Sequence, residues 1–308
     1  MVQIRRSVIQ IANSTQLISL PRKWSQKHGV KKGDQLEIEE NGNSITISTE
    51  KSFDIEKVEL NITGLGVMTQ RFVHALYKKG VDEIKLIFDH PQLIESVQNA
   101  LGKESVGFEI TEQGQNYCVI KHVSGELQEF ESVLRRAFLI LLSMAEESLK
   151  ALQDKNFSAF KSISMLEEAN NRFTTSCRRF INKVGYTSPR KIGPLYYIIE
   201  DLENIADEYK YLCNYLSGLK DKRVTIGKET IKIYEKTNAM LKSFYELFYK
   251  FDKNKLVLIG EQRKEVVIEA YTLFEKSKNP VDRIILHHLL VIIQKIFCFV
   301  GPYLTIAL

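Results

Sequence analysis

Acidic residues are missing from the first 33 positions of this chain, which hold seven basic ones: Arg5, Arg6, Arg22, Lys23, Lys27, Lys31 and Lys32. On a chain whose net charge is only +5, such a block of one sign points to a polyanionic partner at that end. Cysteine is scarce as well. Cys118, Cys177, Cys213 and Cys298 stand far apart and form no CxxC pair, which argues against a zinc knuckle or a disulfide framework and for a reducing cytoplasm. The N-terminus lacks the central apolar run of a signal peptide. The one long apolar stretch, "IILHHLLVIIQKIFCFVGPYLTIAL", is interrupted by His287, His288, Gln294 and Lys295 and broken at Gly301-Pro302, so it reads as a buried terminal helix and not as a membrane span. Also absent are GxGxxG, GxxxxGK[ST], GxSxG, HExxH, a usefully spaced Cys/His motif and a kinase signature. Nothing in the chain motivates an enzyme.

What is present is an ordinary globular composition, 44% hydrophobic and 26% charged, on a chain of 308 residues. That length exceeds what one core usually serves, so two or three domains are expected. The fold class expected is multidomain and mainly α, in three parts. In residues 1–50, "VQIRRSVIQIA" and "TQLISL" alternate like strands, and Pro21 opens a short helix, "PRKWSQKH". Gly29 stands where a C-terminal cap needs a left-handed residue, with Val30 behind it, and Gly33 suits a tight turn. "QLEIEENGNSITIS" reads as a hairpin, with Leu36, Ile38, Ile45 and Ile47 alternating about Asn41-Gly42. Two hairpins and one turn of helix are too small to bury a core alone, so this module should dimerise by interleaving strands. Residues 54–123 alternate strand and helix patterns and end in a hairpin about Gly114, a small α/β domain read as a spacer or interaction module.

From residue 126 to 308 the pattern is helical. Phe130, Val133, Leu134, Phe138, Leu141, Leu142, Ala145 and Leu149 trace one face. Further helices are expected at about 157–184, after Pro194 to about 216, and then at about 229–250, 256–277 and 281–300. Three helices, a break at "SGLKDKRVTIGKE" and three more suggest a duplication, with repeats at about 126–218 and 229–308.

Two resemblances attach to these stretches. Strand, "ISLPRKW", short helix, "GVKKGDQLEIE" and closing hairpin resemble the AbrB/SpoVT-type swapped-hairpin domain, which implies a dimeric DNA-binding module over about a sixth of the chain. The paired three-helix repeats, with Glu203 and Asp207 at ExxxD spacing in "YIIEDLENIADEYKYL", resemble the PhoU family, which implies a tie to phosphate signalling and metal binding by such motifs. The second half departs from that pattern. Its helix, "VDRIILHHLLVIIQKIF", has no such carboxylate pair.

The candidate DNA-binding residues are Arg5, Arg6, Arg22, Lys23, Lys27 and Lys31. A two-fold axis would double them into one positive face, which neutralises phosphates and binds DNA in a salt-dependent way. Arginines on a strand also reach base edges. Trp24 is read as the anchor of a small core before a stacking residue. Glu200, Glu203 and Asp207 fall at i, i+3 and i+7 of one helix and project from one face. Two readings stand for them: ligands of a divalent or ferric ion in the helical domain, or a solvated face balanced by Lys210, Arg172, Arg178 and Arg179. His287 and His288 point about 100° apart on a helix and make poor ligands for one ion. Tyr196, Tyr197, Tyr209, Tyr211 and Tyr215 read as bundle core and interface. The whole points to a cytoplasmic, homodimeric transcriptional regulator of phosphate uptake, joined through its N-terminal domain and not inserted in a membrane. The alternative is an accessory protein that binds a phosphate transporter or a sensor kinase without binding DNA. An antitoxin-like reading leaves the helical body without a role.

Overall fold

The chain is described here from a computed structural model, over residues 5–11, 15–41, 44–49, 55–123, 129–186, 188–219 and 224–308. It divides into two compact units, Met1–Asp54 and Ile55–Leu308.

Among its described residues the first unit holds two separate two-stranded sheets and one short helix. Strands β1 (Ile9–Ile11) and β2 (Thr15–Leu17) pair antiparallel with Ile9 opposite Leu17. Helix α1 (Arg22–Lys27) starts after Pro21, whose fixed φ suits a helix entry. It ends as the sequence expects. Gly29 takes φ +66°, its amide donates to the Gln26 carbonyl at 3.3 Å, and the Val30 amide donates to the Ser25 carbonyl at 2.9 Å. Those two bonds satisfy carbonyls that the helix end leaves open. Strands β3 (Glu37–Asn41) and β4 (Ser44–Ser48) pair with Ile38 opposite Ile47 and Glu40 opposite Ile45; Gly42, in the expected Asn41-Gly42 turn, lies outside the described residues. Arg5 and Arg6 were expected on the first strand, but they precede β1, because the opposing ladder ends at Leu17. Among the described residues of this unit, no side chain is buried.

The second unit opens with an α/β layer. Strand β5 (Lys57–Asn61), helix α2 (Thr69–Lys79) and strand β6 (Glu83–Ile87) form a parallel crossover. Helix α3 (Leu93–Glu104) then leads to the hairpin β7 (Phe108–Gln113) and β8 (Tyr117–His122), and the sheet order is β5-β6-β8-β7. Alternation puts Leu60, Ile84, Leu86, Cys118 and Ile120 on the covered face with Val73, Tyr77 and Val97 of the helices.

The helical body follows. Helices α4 (Phe130–Gln153), α5 (Ala159–Ser164), α6 (Leu166–Val184) and α7 (Pro189–Ser217) make its first half. Helices α8 (Lys228–Tyr249), α9 (Lys253–Lys276), α10 (Pro280–Cys298) and α11 (Val300–Ala307) make its second. One continuous core runs through both halves, from Leu134 and Leu141 to Ile285 and Ile293. Asp252 and Asn279 cap α9 and α10 by accepting from Asn254 and Val281 amides at 2.8 and 3.0 Å.

Several details differ from the sequence expectation. The helix expected at 157–184 is interrupted at Met165, where the Ser162 and Ser164 hydroxyls each donate to a carbonyl three residues back at 2.8 Å. Pro194 does not start a helix but lies within α7. Gly301-Pro302 does not end one either: the break falls at Phe299, and Pro302 sits in the first turn of α11, where a missing N–H costs little. Pro280–Ala307 is long and apolar enough to cross a membrane by length and composition. In the fold, Ile285, Leu286, Leu289, Ile292, Ile293 and Ile296 of that stretch are fully buried in the bundle core. The α/β part, expected as a domain of its own, packs with the helical body in one unit, because α2 and α3 lie directly on α6. Gly80, at the end of α2 with φ +101°, marks the closeness: a β-carbon there would stand 3.0 Å from Cβ of Lys183.

Candidate nucleic-acid interface and polar cavity

The basic residues of the first unit come from three local structures. Arg5 and Arg6 precede β1, Arg22, Lys23 and Lys27 lie on α1, and Lys31 opens the turn to Asp34, whose carboxylate accepts from the Lys31 amide at 2.7 Å. All six side chains are exposed. Lys23 and Lys27, four residues apart, share a face of α1. Trp24 is half-buried, its ring 5.2 Å from that of His28, as befits an anchor. Around this charge the apolar residues are turned outward. Val8, Ile9, Ile11 and Ile18 are more than half exposed, and Ile38 and Ile45 are 66% and 68% exposed. So much open aliphatic surface on so small a unit marks an interaction surface.

The carboxylates of α7 are met by cations from within the fold. Arg178 of α6, fully buried, ion-pairs with both Glu200 and Glu203, and its guanidinium donates to the Thr175 hydroxyl at 3.2 Å. Burial alone would lower its proton affinity, but Glu203 and Glu200 outweigh that and raise it. Asp207 lies 2.5 Å from the Lys210 ammonium, which also donates to Glu167 at 2.8 Å. Burial pushes the Glu167 carboxyl up, with Asp207 adding and Lys210 opposing. Glu200 and Glu203 therefore share one cationic partner, Arg178, and Asp207 has another, Lys210, and among the described residues no group of three His, Cys, Asp or Glu is placed to hold a metal ion. The residues do not fit a divalent or ferric ion, because arginine and lysine stand where its charge would be needed. His288 is bound by Glu208 at 2.8 Å and His287 is exposed. Tyr209 is core, its hydroxyl donating to Asn238 at 2.8 Å, whereas Tyr197 and Tyr211 face solvent.

Arg179, next to Arg178, turns the other way. Its guanidinium donates to the carbonyls of Tyr77 and Val81 at 3.0 and 2.7 Å and to Asp82 at 3.0 Å. The rings of Tyr77 and Phe108 flank it at 4.9 and 5.1 Å. Beside this joint is a polar cavity of about 360 Å³ between α2 and α3 on one side and α6 and α7 on the other. Glu203, Asp207 and Lys210 line it together with Arg71, His74 and Asn171. His74 bridges the Ala100 carbonyl at 3.0 Å and Glu104 at 3.2 Å.

This cavity was not foreseen from the sequence; α6 carries a buried polar stripe, of which Asn171 lines it. Asn170, Asn171, Thr174, Thr175 and Arg178 are polar, buried and three or four residues apart. A polar stripe in the place of an apolar one marks a helix face that meets other polar groups.

Comparison with known proteins bears most directly on the first unit. Residues 9–54 match the family model described as antidote-toxin recognition MazE, bacterial antitoxin. Among solved structures, the phosphate transport system regulatory protein PhoU from Streptococcus pneumoniae is similar with a TM-score of 0.46 and 17% identity, over 58% of this chain and 93% of that one. No curated protein matches the chain significantly.

Proposed function

We propose that this chain is a homodimeric DNA-binding regulator whose N-terminal unit holds DNA and whose helical unit carries the signal. The observation that supports it most is the first unit itself: seven basic residues before the first acid, exposed wherever they are described, on a module whose described residues include no buried side chain. A module whose described residues form no interior gains one by pairing with a second copy through Ile9, Leu17, Ile38 and Ile45. Pairing doubles the basic face, and phosphate neutralisation releases counterions. The genes we infer to be regulated are those of phosphate uptake, on the resemblance of the helical repeats.

The experiment is binding of the full-length protein to its own upstream DNA at several salt concentrations, beside the Arg5→Ala/Arg6→Ala variant. Removing four charges from a dimer should lower the steepness of log K against log salt by about 3 to 4, at roughly 0.9 per lost phosphate contact. Weak binding without sequence preference, equal in both proteins, would remove the DNA reading. A second reading is favoured by the antitoxin family that residues 9–54 match: the exposed apolar face of the first unit would then hold a toxin protein. It requires a stable complex that forms at high salt, where DNA contacts are lost.

A further inference from the structure

We propose that the outer face of α9 pairs antiparallel with the same face of a second copy of this chain, a contact separate from the one inferred for the first unit. Helix α9 packs on α8 and α10, and only Ile259, Val266 and Ala270 of its 24 residues are buried. Those three share one side. On the opposite side Val257, Glu261, Lys264, Ile268, Tyr271 and Glu275 follow at alternating steps of four and three residues, the spacing at which one helix lays a seam along another. Val257 and Tyr271 are half exposed, and Ile268 is 67% exposed.

The order of these residues selects both the partner and its direction. With a two-fold axis between positions 262 and 263, Val257 meets the partner's Ile268, Glu261 meets the partner's Lys264 and Asn254 meets the partner's Tyr271. Each contact then occurs twice, so a second copy supplies the whole complement of the seam. The central charges are available for it. Neither Glu261 nor Lys264 has an ion-pair partner among the described residues, whereas Glu265 and Glu269, on the flank toward α8, both hold Lys236. A parallel pair would set each of these charges against its own copy, which opposes that direction. Gly260 stands beside the axis. A glycine inside a helix costs about 1 kcal/mol relative to alanine, and nothing beyond its own stretch of helix lies within 4 Å of where a β-carbon would be. Packing within the chain therefore does not require it, while close approach of a second helix gives it a use. A seam on one helix about 36 Å long should bury less than a standard interface of about 1,600 Å², so dissociation is expected on the order of 10–100 μM.

The test is sedimentation equilibrium of the full-length chain carrying Ile38→Asp/Ile45→Asp, which disables pairing through the first unit, over about 1 to 300 μM. A reversible association of two chains is expected. Adding Ile268→Asp should weaken it at least about tenfold, because the charge enters the seam twice. Glu261→Lys should weaken it about tenfold, and Glu261→Lys/Lys264→Glu, which exchanges the two charges, should restore it. All three positions are exposed, so circular dichroism should be unchanged. The inference fails if the chain stays monomeric throughout, if Ile268→Asp leaves association unchanged, or if the exchanged pair associates no better than Glu261→Lys alone. Such a failure leaves the DNA-binding reading standing, since that reading depends on the first unit, and loss of DNA binding leaves the α9 seam standing in turn.

Discussion

Replacing Arg179 by alanine should loosen the joint between the α/β layer and the helical body. Its guanidinium is fully buried and makes three hydrogen bonds, two to backbone carbonyls at 3.0 and 2.7 Å and one to Asp82 at 3.0 Å. Each bond from a charged donor contributes about 1.5–3 kcal/mol, and the cost of burying the cation offsets part of the sum. Removing one side of a buried pair leaves acceptors without donors, for a net loss of about 3–5 kcal/mol. Lys183 still ion-pairs with Asp82 in the variant, which keeps the loss within that range. In a unit of about this size each kcal/mol moves Tm by about 2–4 °C, so a fall of roughly 6–20 °C is expected. The assay is urea denaturation and calorimetry of Arg179→Ala beside Arg179→Lys, which keeps the charge but not the planar fork and should fall between the two. Hydrogen exchange should rise between Tyr77 and Asp82. A loss below about 1 kcal/mol would refute the view that Arg179 holds the two layers together.

Three more expectations concern pH, thiols and assembly. Burial lowers the proton affinity of His122 below its usual 6.5, with Arg179 and Lys183 adding and Asp82 opposing. The unfolded chain then takes up this proton more readily than the folded one, so stability is lost as pH falls through 6.5 and is unaffected well above it; His122→Gln should flatten that acid slope in denaturation curves. Of the four cysteines, Cys298 alone is exposed, while burial pushes Cys118 and Cys213 up to about 11 and 12 and Cys177 higher still. A disulfide dye at neutral pH should therefore label one thiol in the native protein and four in urea; rapid labelling of two or more without denaturant would contradict the fold. Ile38→Asp/Ile45→Asp should weaken dimerisation by at least about a hundredfold in sedimentation, and an unchanged dimer would place the interface elsewhere.

Much of this architecture was legible because its signals are local. The Gly29 cap, the β5–α2–β6 crossover and the apolar stripe of α4 each depend on neighbours within a few turns of chain, whereas the second hairpin pairs Asn41 with Ser44 and so Ile38 with Ile47, not with Ile45 as a turn at Asn41-Gly42 implies. The errors were local too: Pro194 and Pro302 read as boundaries, but Pro302 sits in the first turn of α11, where proline is tolerated, and Pro194 lies inside α7, past its first turn.

The partners of the charges were another matter. "TTSCRRF" shows two arginines in a row, and on a helix adjacent side chains point about 100° apart. Sequence alone determined that both lie on a helix near an acidic one, and that the N-terminal unit is basic and short of core. Only the tertiary structure decided that Arg178 closes on Glu200 and Glu203 while Arg179 grips the end of the sheet, and that the remaining polar groups enclose a cavity. The reason is range. Backbone pattern is set by contacts a few residues apart, whereas a buried charge takes whichever opposite charge the packed layers bring beside it, here nearly a hundred residues away in the case of Asp82.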